Sequence, residues 1–405
     1  MIPVAEALAA LFALAPPPVP ERVPLAGLGG RVLLEPLAAR RDQPPFDASA
    51  MDGYAVRSAD ARPGARLRLV GESAAGRRFP GTLGAGEAVR ILTGAPLPRG
   101  ADAVVVQEDA TRDGGHVLLG PGARAGHVRP AGADFRAGAT LPAPRLLSPG
   151  DVALVAAFGH AEAAVARPPD VAILATGDEL AAPGDDPTPD QVFAANAFGL
   201  AALVREAGAC PRLLPMADDT PEGLAQGLAL AEGADILVTV GGASVGDHDL
   251  VAPAARAAGA TLAFHKVALR PGKPLLAGRL PWGGMLLGLP GNPVSAMVCG
   301  TLFLRPVILA ALGLPALPAP RRPARLASPL PPNGPREHYL RAALRPDGAV
   351  APFDRQDSSL LSVLADADAL VVQPPGDPGR PAGAEVEIVT LRRNGLTQTG
   401  NDPRT

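Results

Sequence analysis

The sequence predicts an α/β plus β protein. It combines a parallel-sheet α/β domain with a small, mostly antiparallel β domain, a C-terminal β-barrel-like module and an N-terminal helical and extended segment. Three observations predict it. Between 169 and 316, short β-branched runs alternate with helix-length segments, the pattern of strand–helix units in a parallel sheet. On either side, at 38–137 and 317–392, strand-like runs are separated by Gly, Pro and Asp turns. Finally, 47 glycines and 48 prolines among 405 residues demand many turns yet fall short of a disordered composition.

Composition narrows the function. Apolar residues at 47% and charged residues at 19% fit a soluble globular chain of several domains, expected in the cytoplasm. A net charge of −3 with no basic run leaves no electrostatic footprint for nucleic acid. Cys210 and Cys299 stand alone, with no CxxC and no adjacent His pair, so neither a zinc site nor a disulfide framework follows. Only two of the 37 basic residues are lysines, Lys266 and Lys273, and both lie in HKVALRPGKP. In an Arg-rich chain that clustering suggests a chemical need for a compact ammonium.

In chain order, MIPVAEALAALFALAP begins with an apolar helix stopped by Pro16. The run resembles the core of a signal peptide, but Glu6 and the lack of a basic leader favour an amphipathic helix. Residues 1–37 and 138–168 are expected to form one helical and extended domain, with Ser148 as N-cap and Pro149 opening an apolar helix. In RDQPPFDASAMDGYAV, the double Pro fixes an extended entry and the acids Asp47 and Asp52 suit a tight turn. Met51, Tyr54 and Val56 are expected to alternate into a small core. By itself Asp52 reads as an exposed loop acid. The runs LRLVG, AVRILTG, AVVVQED and HVLLG then build the small β domain, with Thr93 a turn-capping hydroxyl at a strand end.

From Asp170 the alternation begins. VAILATG is a strand ending in Thr176-Gly177-Asp178-Glu179, and NAFGLAALVRE is helical. A strand from Cys210 to Met216 ends in Asp218-Asp219, and Thr220 caps the next helix. Ile236 to Val240 reads as a fully buried parallel strand, broken by Gly241 and Gly242 and followed by Ser244, Asp247 and Asp249. TLAFHKVAL is a further strand leading into Arg270-Pro271-Gly272-Lys273-Pro274. MLLGLPGNPVSAM adds a strand, a turn at Pro290-Gly291-Asn292 and a helix opening near Pro293. The apolar stretch beyond it is interrupted by Arg305-Pro306 and reads as a buried helix, not a membrane span. Past Pro315 a Pro-rich linker leads to short strands through 392, and 393–405 is a tail.

Right-handed crossovers would place these strand ends on one edge of a parallel sheet, where such sheets bind ligands. The ends supply carboxylates, Gly-rich amide donors and the cations Lys266, Arg270 and Lys273. Unpartnered carboxylates would repel an anionic ligand, and a hard dication such as Mg²⁺ resolves that conflict by bridging them to phosphate oxygens. The expectation is a phosphate-bearing substrate, a divalent metal and catalysis by positioning. No GxxxxGK[ST] loop is present, GGASVG is not GxGxxG, and no His neighbours a Ser or Cys.

Six stretches in this order, PPFDASAMDGYAV, RILTGAPLPRGADAVVVQED, VAILATGDEL, TVGGASVGDHD, KVALRPGKP and GLPGNPVSA, resemble the molybdopterin molybdenumtransferase family, which includes the E domain of gephyrin. The resemblance covers nearly the whole chain. It implies a molybdopterin-binding α/β domain and the Mg²⁺-assisted insertion of molybdate into adenylylated molybdopterin with release of AMP. It implies that Glu179, Asp218, Asp219 and Asp249 act at the metal and nucleotide, while Lys266, Arg270 and Lys273 hold anionic groups. Gly241, Gly242, Ser244, Pro290, Gly291 and Asn292 would line the substrate. Arg341 and Ser358 would face the cleft and molybdate from the last module. It further implies a homodimer in which Asp52, with Thr93, serves the partner's site. Molybdopterin adenylyltransferase and molybdoenzymes are the protein partners it suggests. Arg270 stands where many members carry Lys, and QDSSLLSVLADADAL lacks the Gly-Ser pattern common there. An adenylyltransferase, a pyridine-nucleotide hydrolase of the same fold and a scaffold are the alternatives. The first two would lack the PPFDASAMDGYAV module, and a scaffold would carry a long linker and a second α/β domain.

Overall fold

The computed structural model describes residues 1–242 and 250–391, and counts refer to these residues. Asp247, Asp249, Ser244 and the tail fall outside them. The chain divides into two compact units, one of residues 22–29 and 33–165, the other of residues 1–21, 30–32 and 166 onward.

Helix α1 (Val4–Leu14) begins the larger unit. Its buried face, Val4, Ala7, Leu8 and Leu11, follows the 3.6-residue period. The sequence places that helix with 138–168, whereas it groups with the α/β part of the chain while 138–165 fall in the smaller unit.

The smaller unit is built on a six-stranded sheet. Its strands are β1 (Gly53–Val56), β2 (Arg66–Ser73), β3 (Glu87–Ile91), β4 (Ala103–Val106), β5 (Ala110–Asp113) and β6 (His116–Leu119). They lie in the order β4-β1-β3-β2-β6-β5, antiparallel except where β2 meets β3. β1 is central and buried at all four positions, so it does not alternate. Met51, expected in that core, is 44% exposed because it precedes the strand, in the turn. Helix α2 (Pro149–Ala157) opens where the sequence placed it: Ser148 Oγ accepts from the Asp151 amide and Asp151 reaches back, a capping box.

In the larger unit, the strands are β7 (Asp170–Ala175), β8 (Leu180–Ala181), β9 (Val192–Phe193), β10 (Cys210–Leu213), β11 (Ile236–Val240) and β12 (Thr261–Lys266). They continue with β13 (Leu269–Arg270), β14 (Pro274–Arg279) and β15 (Met285–Leu289). Helices α3 (Ala195–Glu206), α4 (Pro221–Leu230), α5 (Val251–Ala257), α6 (Pro293–Cys299) and α7 (Arg305–Ala311) connect or follow them. The main sheet runs β10-β7-β11-β15-β14-β12. It is mixed, which corrects the all-parallel expectation: β14 is antiparallel to both neighbours. The sequence pattern assigns PLLAGR of β14 to no element, and its partner strands reveal it. Because β12 pairs antiparallel with β14, it points the same way as β7, β11 and β15. β7, β11 and β15 are buried almost throughout, as strands covered on both faces must be. Pro293 to Ala311 forms one helical run of 19 residues, apolar enough to cross a membrane, yet 78% of its most apolar window is buried in the protein. A π-helical turn at Gly300–Leu304 precedes Pro306, where the missing N–H and ring would disturb a regular α-turn.

The last part of the chain contributes β16 (Arg321–Arg325), β17 (Glu337–Leu344), β18 (Val350–Pro352), helix α8 (Leu361–Ala365), β19 (Ala369–Gln373) and β20 (Glu385–Thr390). Its sheet runs β13-β17-β19-β20-β16, with β18 on β17, and a Leu326–Val350 bridge joins the end of β16 to β18. Its first strand, β13, comes from the α/β sequence and pairs parallel with β17, Leu269 to Glu337 and Arg270 to His338. The loop carrying Arg270 and Lys273 is thereby registered against the last module.

Candidate functional site

The parallel strands determine where the site forms. Ala175 pairs with Val240, and Val240 with Leu289, so the carboxyl ends of β7, β11 and β15 stand side by side. From them emerge Glu179, Gly241-Gly242 and Pro290-Gly291-Asn292. β14 runs the opposite way, so its amino end brings Lys273 and Pro274 to the same edge. A cleft of about 960 Å³ opens there.

Glu179, Asp219, Gly241, Gly242, Arg270, Lys273, Pro290, Gly291, Asn292 and Ser358 all line it. The chain beyond β10 reaches the edge through a parallel bridge between Thr176 and Ala217. The Asp219 amide then donates to Asp178 Oδ1 at 2.9 Å, which ties the two acidic turns together. Gly241 has φ +97°, and a Cβ there would collide with the Thr176 carbonyl, so only glycine lets β11 end this close to β7. Gly272 has φ +111°, and a Cβ would fall on the Cys299 sulfur. That close approach seats the Arg270–Lys273 loop on α6. Cys299 itself is buried in apolar surroundings that push its thiol far above the ordinary range, so it is inert packing.

The other wall comes from the last module. Ser358 Oγ accepts from Asn292 Nδ2 at 3.1 Å, and the Ser358 carbonyl accepts from the Val294 amide at 3.1 Å. The second contact satisfies an N–H at the start of α6, whose own N-cap residue Asn292 makes no side-chain cap. Asn196 Nδ2 donates to the Gly291 carbonyl at 2.6 Å, fixing the same turn from α3.

Arg341 is not in the cleft wall. It is 1% exposed, with Nε donating to Gln356 Oε1 at 3.3 Å and the guanidinium also reaching the carbonyls of Leu360 at 3.2 Å and Arg355 at 3.4 Å. Gln356 in turn donates to the carbonyls of Arg341 and Phe353. Arg341 therefore braces the loop whose Gln356, Asp357, Ser358 and Ser359 line the cleft. Lys266 also lies outside the wall: it pairs with Pro274 in register, and its carbonyl accepts from the Ile2 amide. Asp218 is exposed beside the wall. Asp249 and Ser244 lie outside the described residues.

Asp52 and Thr93 belong to the smaller unit and touch each other. Asp52 Oδ1 accepts from both the Thr93 amide and the Thr93 hydroxyl, each at 2.7 Å. The Thr93 amide, then its hydroxyl, with a further contribution from Arg90, hold the half-buried Asp52 carboxyl below its ordinary range. Thr93 thus donates to the acid.

Sequence reasoning missed Arg336, Phe193 and Asn196, which also line the cleft. Arg336 is one arginine among many and carries no local signal. His338 was missed as well. It is 8% exposed, and burial first, then Arg270, Arg336 and Arg341, push its pKa down from 6.5 to about 4. The sign follows directly. Above pH 6.5 the ring is neutral both folded and unfolded, whereas below it the unfolded chain binds a proton that the folded chain refuses. Stability should fall by about 2 kcal/mol between pH 7 and pH 5 from this residue alone. Urea midpoints followed across that window should drop in the wild type and flatten in His338→Gln; parallel slopes would contradict the assignment.

Known proteins resemble this chain over nearly its whole length. The family model of the MoeA N-terminal region (domain I and II) matches residues 2–159. A probable molybdopterin binding domain matches 172–310, and the MoeA C-terminal region (domain IV) matches 323–391. A molybdopterin molybdenumtransferase of Nostoc sp. is 36% identical over 92% of this chain and 88% of its own length. Molybdopterin molybdenumtransferase 2 of Mycobacterium tuberculosis is 38% identical over 92% and 95%. Among solved structures, the molybdopterin biosynthesis MoeA protein from Pyrococcus horikosii is similar with a TM-score of 0.85 at 31% identity, covering 97% of this chain and 99% of that one.

Proposed function

Because this chain belongs to the molybdopterin molybdenumtransferase family, we propose that its cleft takes adenylylated molybdopterin and molybdate and releases AMP and molybdenum-bound pterin. One observation carries the reading: a single cleft lined by the acids Glu179 and Asp219 and by the cations Arg270, Lys273 and Arg336. An anionic substrate needs the cations for binding, and the acids exclude it unless a dication intervenes.

The donor set fits Mg²⁺. Among the described residues no three His, Cys, Asp or Glu side chains gather as a ready cage, and Mg²⁺ does not require one. Two hard carboxylates, Glu179 and Asp219, would hold it, and the family resemblance adds Asp249 to that set, a residue outside those described. Bound by these residues, the ion would supply charge neutralisation at phosphate oxygens. The protein's own contribution is placement. Arg270 and Lys273, fixed by β13 on one side and Gly272 on the other, orient the anionic groups. The amides near Gly291 and Asn292, held by Asn196 and Ser358, supply neutral donors. Arg341 is proposed to act through Gln356, not on the substrate. The same reading includes a homodimer, to which Asp52 contributes its charge, and a cytoplasmic location.

The test is one assay: purified protein, adenylylated molybdopterin, Mg²⁺ and molybdate, with AMP and molybdenum-bound pterin measured. Both products should appear together and only with molybdate. If unadenylylated pterin plus ATP instead yields the adenylate, the activity is adenylyl transfer and the proposal fails.

A further inference from the structure

Aromatic residues make up only 3% of this chain, so an exposed one in a cleft is informative. Phe193 is 49% exposed and its neighbour Val192 is 58% exposed, and both line the cleft with Leu180. Burial is the default for side chains of this kind, and their exposure on a concave wall marks a surface that a ligand covers. The wall is not a loose loop. β9 pairs with β8, the Val192 amide donates to the Glu179 carbonyl at 2.7 Å, and the Ala194 amide donates to the Ala181 carbonyl at 3.0 Å. Phe193 is therefore held at a fixed distance from the proposed metal-binding acid. The rest of the wall is chemically different: it carries Arg270, Lys273 and Arg336, none ion-paired with an acid among the described residues. An apolar, aromatic stretch and a cationic stretch in one cleft match a ligand with a flat ring joined to phosphate.

We propose that Phe193, flanked by Val192 and Leu180, is a stacking platform for a planar heteroaromatic ring of the bound substrate, adenine or pterin. This rests on the function proposed above, because that substrate carries both rings. A ring face on Phe193 gains dispersion and desolvation, and it gains them whatever the ring's edge pattern. Phe193 then sets affinity and orientation at the ring while the cations set them at the phosphates.

The test is direct binding by calorimetry of AMP alone and of molybdopterin alone. The proteins are the wild type, Phe193→Ala, Phe193→Leu and Phe193→Trp. Loss of one stacked ring should weaken the relevant ligand about tenfold in Phe193→Ala. Phe193→Leu, apolar but without a ring, should stay weak, whereas Phe193→Trp should restore affinity and show indole emission that changes on binding. Weakening of AMP alone assigns adenine to the platform; weakening of molybdopterin alone assigns the pterin. Binding of both ligands to Phe193→Ala within twofold of wild type overturns the platform and leaves the proposed function standing. Failure of the wild type to bind either ligand overturns the function, and the platform with it.

Discussion

Exchange of Glu179 for Gln is expected to lower molybdate-dependent AMP release by about a hundredfold or more, with the fold intact. Gln keeps the size and one carbonyl oxygen of the side chain, so the cleft wall stays in place. Glu179 is exposed, and surface substitutions of this kind change stability by about 0.5 kcal/mol or less. What disappears is the negative charge at the carboxyl end of β7. If that charge recruits a dication, half-saturation by Mg²⁺ should move upward by roughly tenfold as one carboxylate ligand is lost. Asp219→Asn should shift the same curve in the same direction, because both acids line one cleft. Titrations of rate against Mg²⁺ for the two variants decide the matter. A Glu179→Gln enzyme that turns over within twofold of wild type at limiting Mg²⁺ would remove this residue from the metal site and leave the cations without a counterweight.

How much of this was legible in the sequence depended on the range of the interaction involved. Ser148 and Thr220 announce helix starts through bonds made within three residues, and both caps form. The uninterrupted apolar run at Ile236 to Val240 announces a doubly covered strand, because burial on both faces suppresses alternation. β14 was illegible for the opposite reason. Its direction is set by β12 and β15, and nothing within Pro274–Arg279 distinguishes a reversed strand from a loop. The site shows the same division. Glu179, Gly241 and Asn292 follow from being at strand ends. Arg341 was misplaced because an arginine's burial depends on acceptors 14 to 19 residues away, Arg355, Gln356 and Leu360. Phe193 was missed because it lies in a Pro- and Asp-rich stretch that reads as a plain loop until a two-residue strand pins it to Leu180-Ala181. Ordered motifs located the cleft; the contacts across it, which give the side chains their roles, appear only in three dimensions.

Asp52→Ala is expected to abolish molybdate-dependent AMP release while the chain remains folded, since Asp52 stands in the bend before β1 and belongs to neither core of the smaller unit's sheet. The loss has two components that can be separated. Asp52 holds the Thr93 turn through two hydrogen bonds, and it carries a charge that those bonds and Arg90 stabilise. Asn at 52 retains an acceptor for the Thr93 amide but no charge, so equal losses in Asp52→Asn and Asp52→Ala assign the effect to charge. A carboxylate held below its ordinary range is a poor proton acceptor near neutrality, which makes a fixed charge the better description of its role. Subunit mixing then tests whose cleft it serves. If Asp52 of one copy completes the cleft of another, mixing and reassembling inactive Asp52→Ala and Glu179→Gln chains gives heterodimers with one intact site each. Half of the dimers formed at random are mixed, so about a quarter of wild-type activity should return. Were Asp52 to serve the cleft of its own chain, every site in the mixture would carry a lesion and no activity would return.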